Sequence, residues 1–175
     1  FSLAHRLIGA NLADADPSRL DEAIALLNRQ RPLLRKYESN LINEMLLGGE
    51  ADVAMAWNGL ALKLVFEHPE FRFVVPDEGT LMFADNMCLL RNAPHPDEAH
   101  QFINFLLDPA NSAINMRYIL YAMPNPDAIR LLPDELRNSE VMFPPLGDMS
   151  RLDVMPDLGE FLSVLQTHWV RIKSE

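Results

Sequence analysis

Phe83 and Asp85 stand two residues apart in the run Leu81-Met82-Phe83-Ala84-Asp85. Side chains at i and i+2 lie on one face of a strand, so a strand here would turn an aromatic ring and a carboxylate the same way. That pair suits an ammonium group or a methylene-linked diamine. The ring face offers a cation–π attraction of about 0.5–2 kcal/mol, and the carboxylate a charge-assisted hydrogen bond. The same pattern also fits a core Phe83 with Asp85 capping a turn. A second candidate is Trp57-Asn58-Gly59, a tryptophan at the carboxyl end of an apolar segment and just before a helix. Open α/β sheets present ligands at such places. Trp57 as core and Asn58 as a helix N-cap is the other reading. Ser39 and Tyr121 each fall at the end of an element and say nothing alone.

Catalytic templates are missing. The chain has no G-x-S-x-G, no Gly-rich phosphate loop, no H-E-x-x-H and no C-x-x-C. Cys88 lies in an apolar run, where a free cysteine is expected to be a small buried hydrophobe. His95 and His100 flank a helix start beside Asp97 and Glu98, at a spacing that matches no standard metal face. No catalytic residue, metal ligand or cofactor is therefore assigned, and the chain is expected not to be an enzyme.

The elements that must position these residues follow from periodicity and punctuation. Leu3, Leu7 and Ile8 make an apolar stripe on a first helix. Asp16 or Ser18 with Pro17 starts a second helix, whose stripe of Leu20, Ala23, Ile24 and Leu27 ends at Pro32. Leu33–Tyr37 reads as a short strand. Ile42, Met45 and Leu46 mark a short helix closed by Gly48-Gly49. Ala51–Trp57 reads as a strand buried on both faces, followed by a helix through about Glu67 and a strand over Phe71–Val75. The run 81–90 is a long apolar segment. After Pro94-His95-Pro96 a helix carries Phe102, Ile103, Leu106 and Leu107 as a buried stripe, and Pro109 separates it from a second helix to Leu120. A turn over 121–126, short helices over 127–138, a proline-rich connection at Pro144-Pro145 and a last helix over about 157–172 complete the chain. Alternating strands and helices predict an α/β architecture with open sheets.

Composition narrows the class. The 175 residues are 49% hydrophobic and 23% charged, ordinary globular proportions. With 25 acidic against 15 basic residues the formal charge is −10, which argues against a sequence-independent nucleic-acid binder and suits a cationic partner or an acidic surface. No apolar stretch reaches the about 18–20 residues needed to span a bilayer. One cysteine excludes an internal disulfide. The chain opens on Phe1, already inside a helical pattern, and the expectation is the carboxy-terminal part of a longer protein.

Taken in order, these segments resemble the periplasmic polyamine-binding proteins of bacterial ABC transporters, the spermidine/putrescine substrate-binding family. Gly48 to Gly59 is similar to the family's strand and turn ending in W-x-G, and Val74-Val75-Pro76-Asp77-Glu78-Gly79 to its P-x-E-G crossing, followed by aromatic-x-Asp at Phe83 and Asp85. Ile103-Asn104-Phe105-Leu106-Leu107-Asp108-Pro109 resembles its INFLL-x-P helix, Tyr121-Ala122-Met123-Pro124-Asn125 its Y-x-x-P-N turn, and Trp169 to Lys173 its terminal helix. The resemblance covers essentially the whole chain. It implies an α/β, periplasmic-binding-protein-like (type II) two-lobe architecture, with only the carboxy-terminal portion present here. The implied ligand is a putrescine- or spermidine-type cation, and the implied partner an inner-membrane ABC permease.

Carried over by position, the resemblance makes Trp57 a stacking wall, Phe83 the opposing aromatic and Asp85 the principal carboxylate, with weaker contacts from Ser39 and Tyr121. The family often places tryptophan where this chain has Phe83, and a polar contact where it has Met155. Residues 1–80 and 123–175 are expected to form one lobe, and 81–122 a crossover segment of the other. That segment would leave Leu81, Met87, Leu89, Phe102 and Leu106 exposed unless a partner chain, a dimer or further residues cover 81–122. This portion alone is expected to bind polyamine weakly or not at all. The alternative is a polyamine-sensing or protein-interaction module that uses the same fold without transport.

Overall fold

Asp16 accepts the Ser18 amide at 2.9 Å and Pro17 supplies the first helical residue, and with these signals α2 (Pro17–Gln30) begins as its sequence dictates. The computed structural model describes residues 1–144 and 151–174. Its described elements in order are α1 (Ser2–Leu7), α2, α3 (Ile42–Leu47), α4 (Asn58–Glu67), β1 (Thr80–Met82), α5 (Pro96–Leu107), α6 (Pro109–Ile119), α7 (Pro126–Arg130), α8 (Asp134–Arg137), β2 (Leu152–Val154) and α9 (Phe161–Ser174). The chain forms two compact units, residues 1–54, 75–83 and 151–174 in the first, and 55–74 and 84–144 in the second.

In the first unit Leu12, Leu20 and Leu165 form the buried centre, with Phe1, Ile24, Leu158 and Phe161 packed against it. Tyr37 and Phe1 both meet the Trp169 ring edge-on, at centroid distances of 4.6 and 6.1 Å. Its sheet is a parallel pair, β1 with β2, in the register Thr80 to Leu152, Leu81 to Asp153 and Met82 to Val154.

The second unit is built on helices. Leu62 of α4 and Ala113 and Met116 of α6 close on Ala128, Leu132, Leu136 and Met142. The α5–α6 corner shows why Pro109 separates two helices rather than ending the fold there. Asp108 caps α6 through the amides of Ala110 and Asn111, at 3.0 and 3.2 Å. The last carbonyls of α5, which have no helical partner, accept from side chains: Phe105 from Asn111 at 2.9 Å, Leu106 from Ser112 at 2.6 Å, and Leu107 from Asn125 at 2.8 Å.

Several expectations are corrected. The predicted strands over Leu33–Tyr37, Ala51–Trp57 and Phe71–Val75 are not laddered, and of the run 81–90 only Leu81 and Met82 pair. Leu33 instead ends a 3-10 turn begun by Arg31-Pro32. These apolar runs have strand composition, but a strand needs a second backbone to bond with, and no such pairing of them forms among the described residues. The consequence is exposure: Val53 is 88% exposed and Leu90 78%. Helix α5 is amphipathic yet has no buried residue, so Phe102 and Leu107 face outward, as do Met87 and Leu89, while Leu81 and Leu106 are half-buried. Cys88, expected inside, is exposed for the same reason. Of the expected Pro144-Pro145 connection, Pro145 lies outside the described residues.

Candidate functional site

Trp57 occupies the N-cap position of α4 in extended conformation and is half exposed. Asn58, expected to cap, instead donates through Nδ2 to the Val141 carbonyl at 3.1 Å. This ties the start of α4 to the wall of its own unit. The next residue, Gly59, is buried beneath the Tyr121 ring. A Cβ there would stand 2.5–2.7 Å from three ring atoms, so only glycine admits the ring this close. Tyr121 is brought there by Leu120, which ends α6 in the left-handed conformation (φ 60°, ψ 24°). That conformation costs a leucine about 1–2 kcal/mol, and the buried Met116 and Leu62 packing beside it supports the turn. Trp57 and Tyr121, far apart in sequence, therefore flank one helical turn of the second unit.

Asp85 belongs to the same unit, in the extended segment after β1. It is exposed, and no ion pair to it forms among the described residues. The neighbouring Asn86 turns back to donate to the Ala84 carbonyl at 2.9 Å.

Phe83 and Ser39 belong to the first unit. Phe83 directly follows β1 and is half exposed. Because Met82 pairs with Val154, the residues that continue the two parallel strands at their carboxyl ends are Phe83 and Met155. Ser39 lies on a turn organised by Glu38, whose Oε1 accepts the amides of Ser39 and Asn40 at 2.9 and 3.0 Å. Lys36 stands 2.7 Å from Oε2. The Lys36 ammonium first, then the Asn40 and Ser39 amides, hold the Glu38 carboxyl down at about 2 from its ordinary 4.5.

The shared-face arrangement of Phe83 and Asp85 expected from strand alternation is not formed as a ladder, since β1 ends at Met82. Two concavities lie elsewhere. One of about 440 Å³ in the first unit is lined by Phe1, Leu12, Met155, Leu165 and Trp169, and one of about 430 Å³ in the second by Lys63, Phe66 and Tyr118. None of the five candidate residues lines either. Among the described residues no cluster of His, Cys, Asp and Glu could hold a metal. What sequence reasoning missed is the meeting of Arg6, Gly79 and Asp153 at the entry of β1. Its one signal was a glycine just before an apolar strand.

Residues 2–143 match the family model of the bacterial extracellular solute-binding proteins, and the chain belongs to that family. It is similar to the putrescine/agmatine-binding protein of Pseudomonas aeruginosa, 27% identical over 99% of this chain and 49% of that protein. It is likewise similar to the spermidine/putrescine-binding periplasmic protein of Escherichia coli, at 26% over 99% of this chain and 50% of the other. Among solved structures, a chain from Listeria monocytogenes described as a spermidine/putrescine ABC transporter superposes with a TM-score of 0.88 at 30% identity, covering 98% of this chain and 53% of that one. The substrate-binding protein PotD of Streptococcus pneumoniae gives 0.80 at 26%, covering 99% and 54%. The chain spans about half the length of these relatives. Its fold is of the periplasmic-binding-protein kind, its family is one of periplasmic or extracellular binding proteins, and it is not an enzyme.

Proposed function

We propose that the protein is the solute-binding component of a polyamine ABC transporter, which captures putrescine- or spermidine-type cations in the periplasm and delivers them to an inner-membrane permease. The observation that carries this reading is the coincidence of two facts. Relatives matched over nearly the whole chain are named for binding putrescine, agmatine or spermidine. The residues singled out on chemistry alone, Trp57, Phe83 and Asp85, offer two ring faces and a carboxylate, the chemistry a methylene-linked polycation needs. Trp57, Phe83 and Asp85 are exposed, and Ser39 stands on a turn stiffened by Glu38.

In this reading the whole protein has the two-lobe type II architecture. Residues 1–80 with 123–175 serve one lobe, 81–122 cross into the other, and the cation is held in the cleft between lobes. Capture follows from closure, a hinge motion biased by contacts made only in the closed state. A micromolar receptor needs about 8 kcal/mol net, within reach of stacked rings and ammonium–carboxylate bonds after the entropy of association. A single half of such a cleft falls short of that. Cover of 81–122 by further polypeptide or a partner belongs to the same reading, and supports it through the exposed Phe102, Met87 and Leu89.

Isothermal titration with putrescine and spermidine, on this chain and on the complete gene product, is the test. The complete product should bind at micromolar concentration, and Trp57→Ala and Asp85→Ala should each weaken binding at least tenfold, about 1.4 kcal/mol. A complete product that binds neither cation, or variants that bind as tightly as the parent, would sink the proposal.

A further inference from the structure

Arg6 of α1 reaches the residues that lead into β1 and the middle of β2 at once. Its Nε donates to the Glu78 carbonyl, two residues before β1, and its Nη1 to Oδ2 of Asp153 in the centre of β2. Asp153 stands opposite Leu81 in the ladder. Between these anchors lies Gly79 at φ +96°. A Cβ there would be 2.5 Å from Arg6 Nε and 2.6 Å from its Cζ, and would collide with the Arg151 carbonyl oxygen. The glycine is thus the opening through which the guanidinium approaches the backbone. A second ion pair, Arg151 with Asp77 at 3.3 Å, closes the same turn. Helix α1 is itself fixed, because the adjacent His5 is only 2% exposed and bonds through Nδ1 to the Phe1 carbonyl at 3.1 Å.

A ladder of three residue pairs holds its own geometry poorly. Whatever fixes its start therefore decides where its far end lies. Gly79 and Phe83 are four residues apart, about 13 Å along an extended chain. A small rotation at the glycine is carried down that lever to the ring. The brace also needs a guanidinium, because Nε and Nη1 serve two acceptors, one before β1 and one in β2, from one rigid plane. An ammonium on a flexible stem offers a single point charge and cannot hold both in that arrangement.

We infer that Arg6 is a positioning residue for the aromatic face at Phe83, acting by pinning the entry of β1 and the middle of β2 to α1. The inference rests on the polyamine reading only for what Phe83 does, not for what Arg6 holds.

Two measurements test it. In the 175-residue chain, Arg6→Lys and the milder Asp153→Asn should speed amide exchange across 80–83 and 152–155 by about tenfold, with the α2 amides of the same unit unchanged. Unchanged exchange at the strands, or an equal rise in α2, overturns the brace. In the complete gene product, putrescine affinity is compared in the parent, Arg6→Lys, Phe83→Ala and the double variant. Arg6→Lys should weaken binding about tenfold when Phe83 is present and less than twofold when it is Ala, while lowering Tm equally in both backgrounds. The same affinity loss in both backgrounds assigns Arg6 to folding alone and refutes the positioning role. If the parent binds no diamine, the polyamine reading fails, and exchange still decides whether Arg6 is the brace.

Discussion

Gly59→Ala puts a single carbon where the Tyr121 ring now lies. The new Cβ would meet Cε2 at 2.5 Å and Cδ2 and Cζ at 2.7 Å. Carbon pairs rest at about 3.5–4.0 Å, so the ring must retreat by about 1 Å. It cannot yield as a flexible chain end does, because it is rigid and its backbone is set by the left-handed Leu120. Overpacking of this kind costs about 1–3 kcal/mol. Alanine's helical advantage over glycine is about 1 kcal/mol in a helix interior and less in a first turn, so the clash wins by about 1–2 kcal/mol. In a chain of this size that lowers Tm by roughly 2–8 °C. The assay is urea unfolding followed by Trp57 fluorescence in a Trp169→Phe background, so that the signal comes from the second unit alone. With Tyr121→Ala the obstruction is gone, and Gly59→Ala should become neutral or stabilising by up to about 1 kcal/mol. An equal loss with and without the ring, or a gain with the ring present, would refute the assignment of Tyr121 to the α4 turn.

Three further outcomes follow from the same packing. The Glu38 carboxyl, held at about 2, titrates lower in the folded chain than at its ordinary 4.5. Its contribution is therefore complete above pH 4.5 and is lost as pH falls toward 2, so Glu38→Gln should flatten the acid dependence of amide exchange at Ser39 and Asn40. Asn125 caps α7 through the Ala128 amide and donates to the Leu107 carbonyl and to Ser112 Oγ. Asn125→Ala should cost about 2 kcal/mol in urea unfolding, one cap, one part-buried hydrogen bond and one exposed one; a loss under 0.5 kcal/mol would count against the α5–α7 clasp. Cys88 is exposed, so the native protein should react with an aromatic disulfide reagent within minutes, whereas a buried thiol would need denaturant.

Helices were legible because their hydrogen bonds are local. Asp16-Pro17 sets the start of α2, Asp108-Pro109 that of α6, and Gly48-Gly49 the end of α3, each from residues within a turn of the boundary. Strands were not, because half of a ladder lies elsewhere in sequence. Ala51–Trp57 and Phe71–Val75 have the apolar run of a buried strand, and that composition reports what the segment can bury rather than what stands beside it. The only described ladder joins residues 72 positions apart, Thr80–Met82 with Leu152–Val154, and nothing local in either segment names the other.

The site divides along the same line. Chemistry in the sequence singled out Phe83, Asp85 and Trp57, because ring and carboxylate are intrinsic to the residue. Position was beyond its reach. Alternation aligns Phe83 with Asp85 only if the strand continues past Met82, and a strand continues only as far as its neighbour does. The residues that fix Phe83 are instead a guanidinium 77 positions earlier and a carboxylate 70 positions later, meeting over Gly79. Gly79 has the positive φ of a turn residue. Its second role, admitting Arg6, is a packing fact that no turn rule contains. A glycine that ends a turn and opens a strand is therefore a place to look for a long side chain crossing from elsewhere. Gly59 under Tyr121 makes the same point in the second unit: at both positions the missing side chain marks where a distant residue packs directly against the backbone.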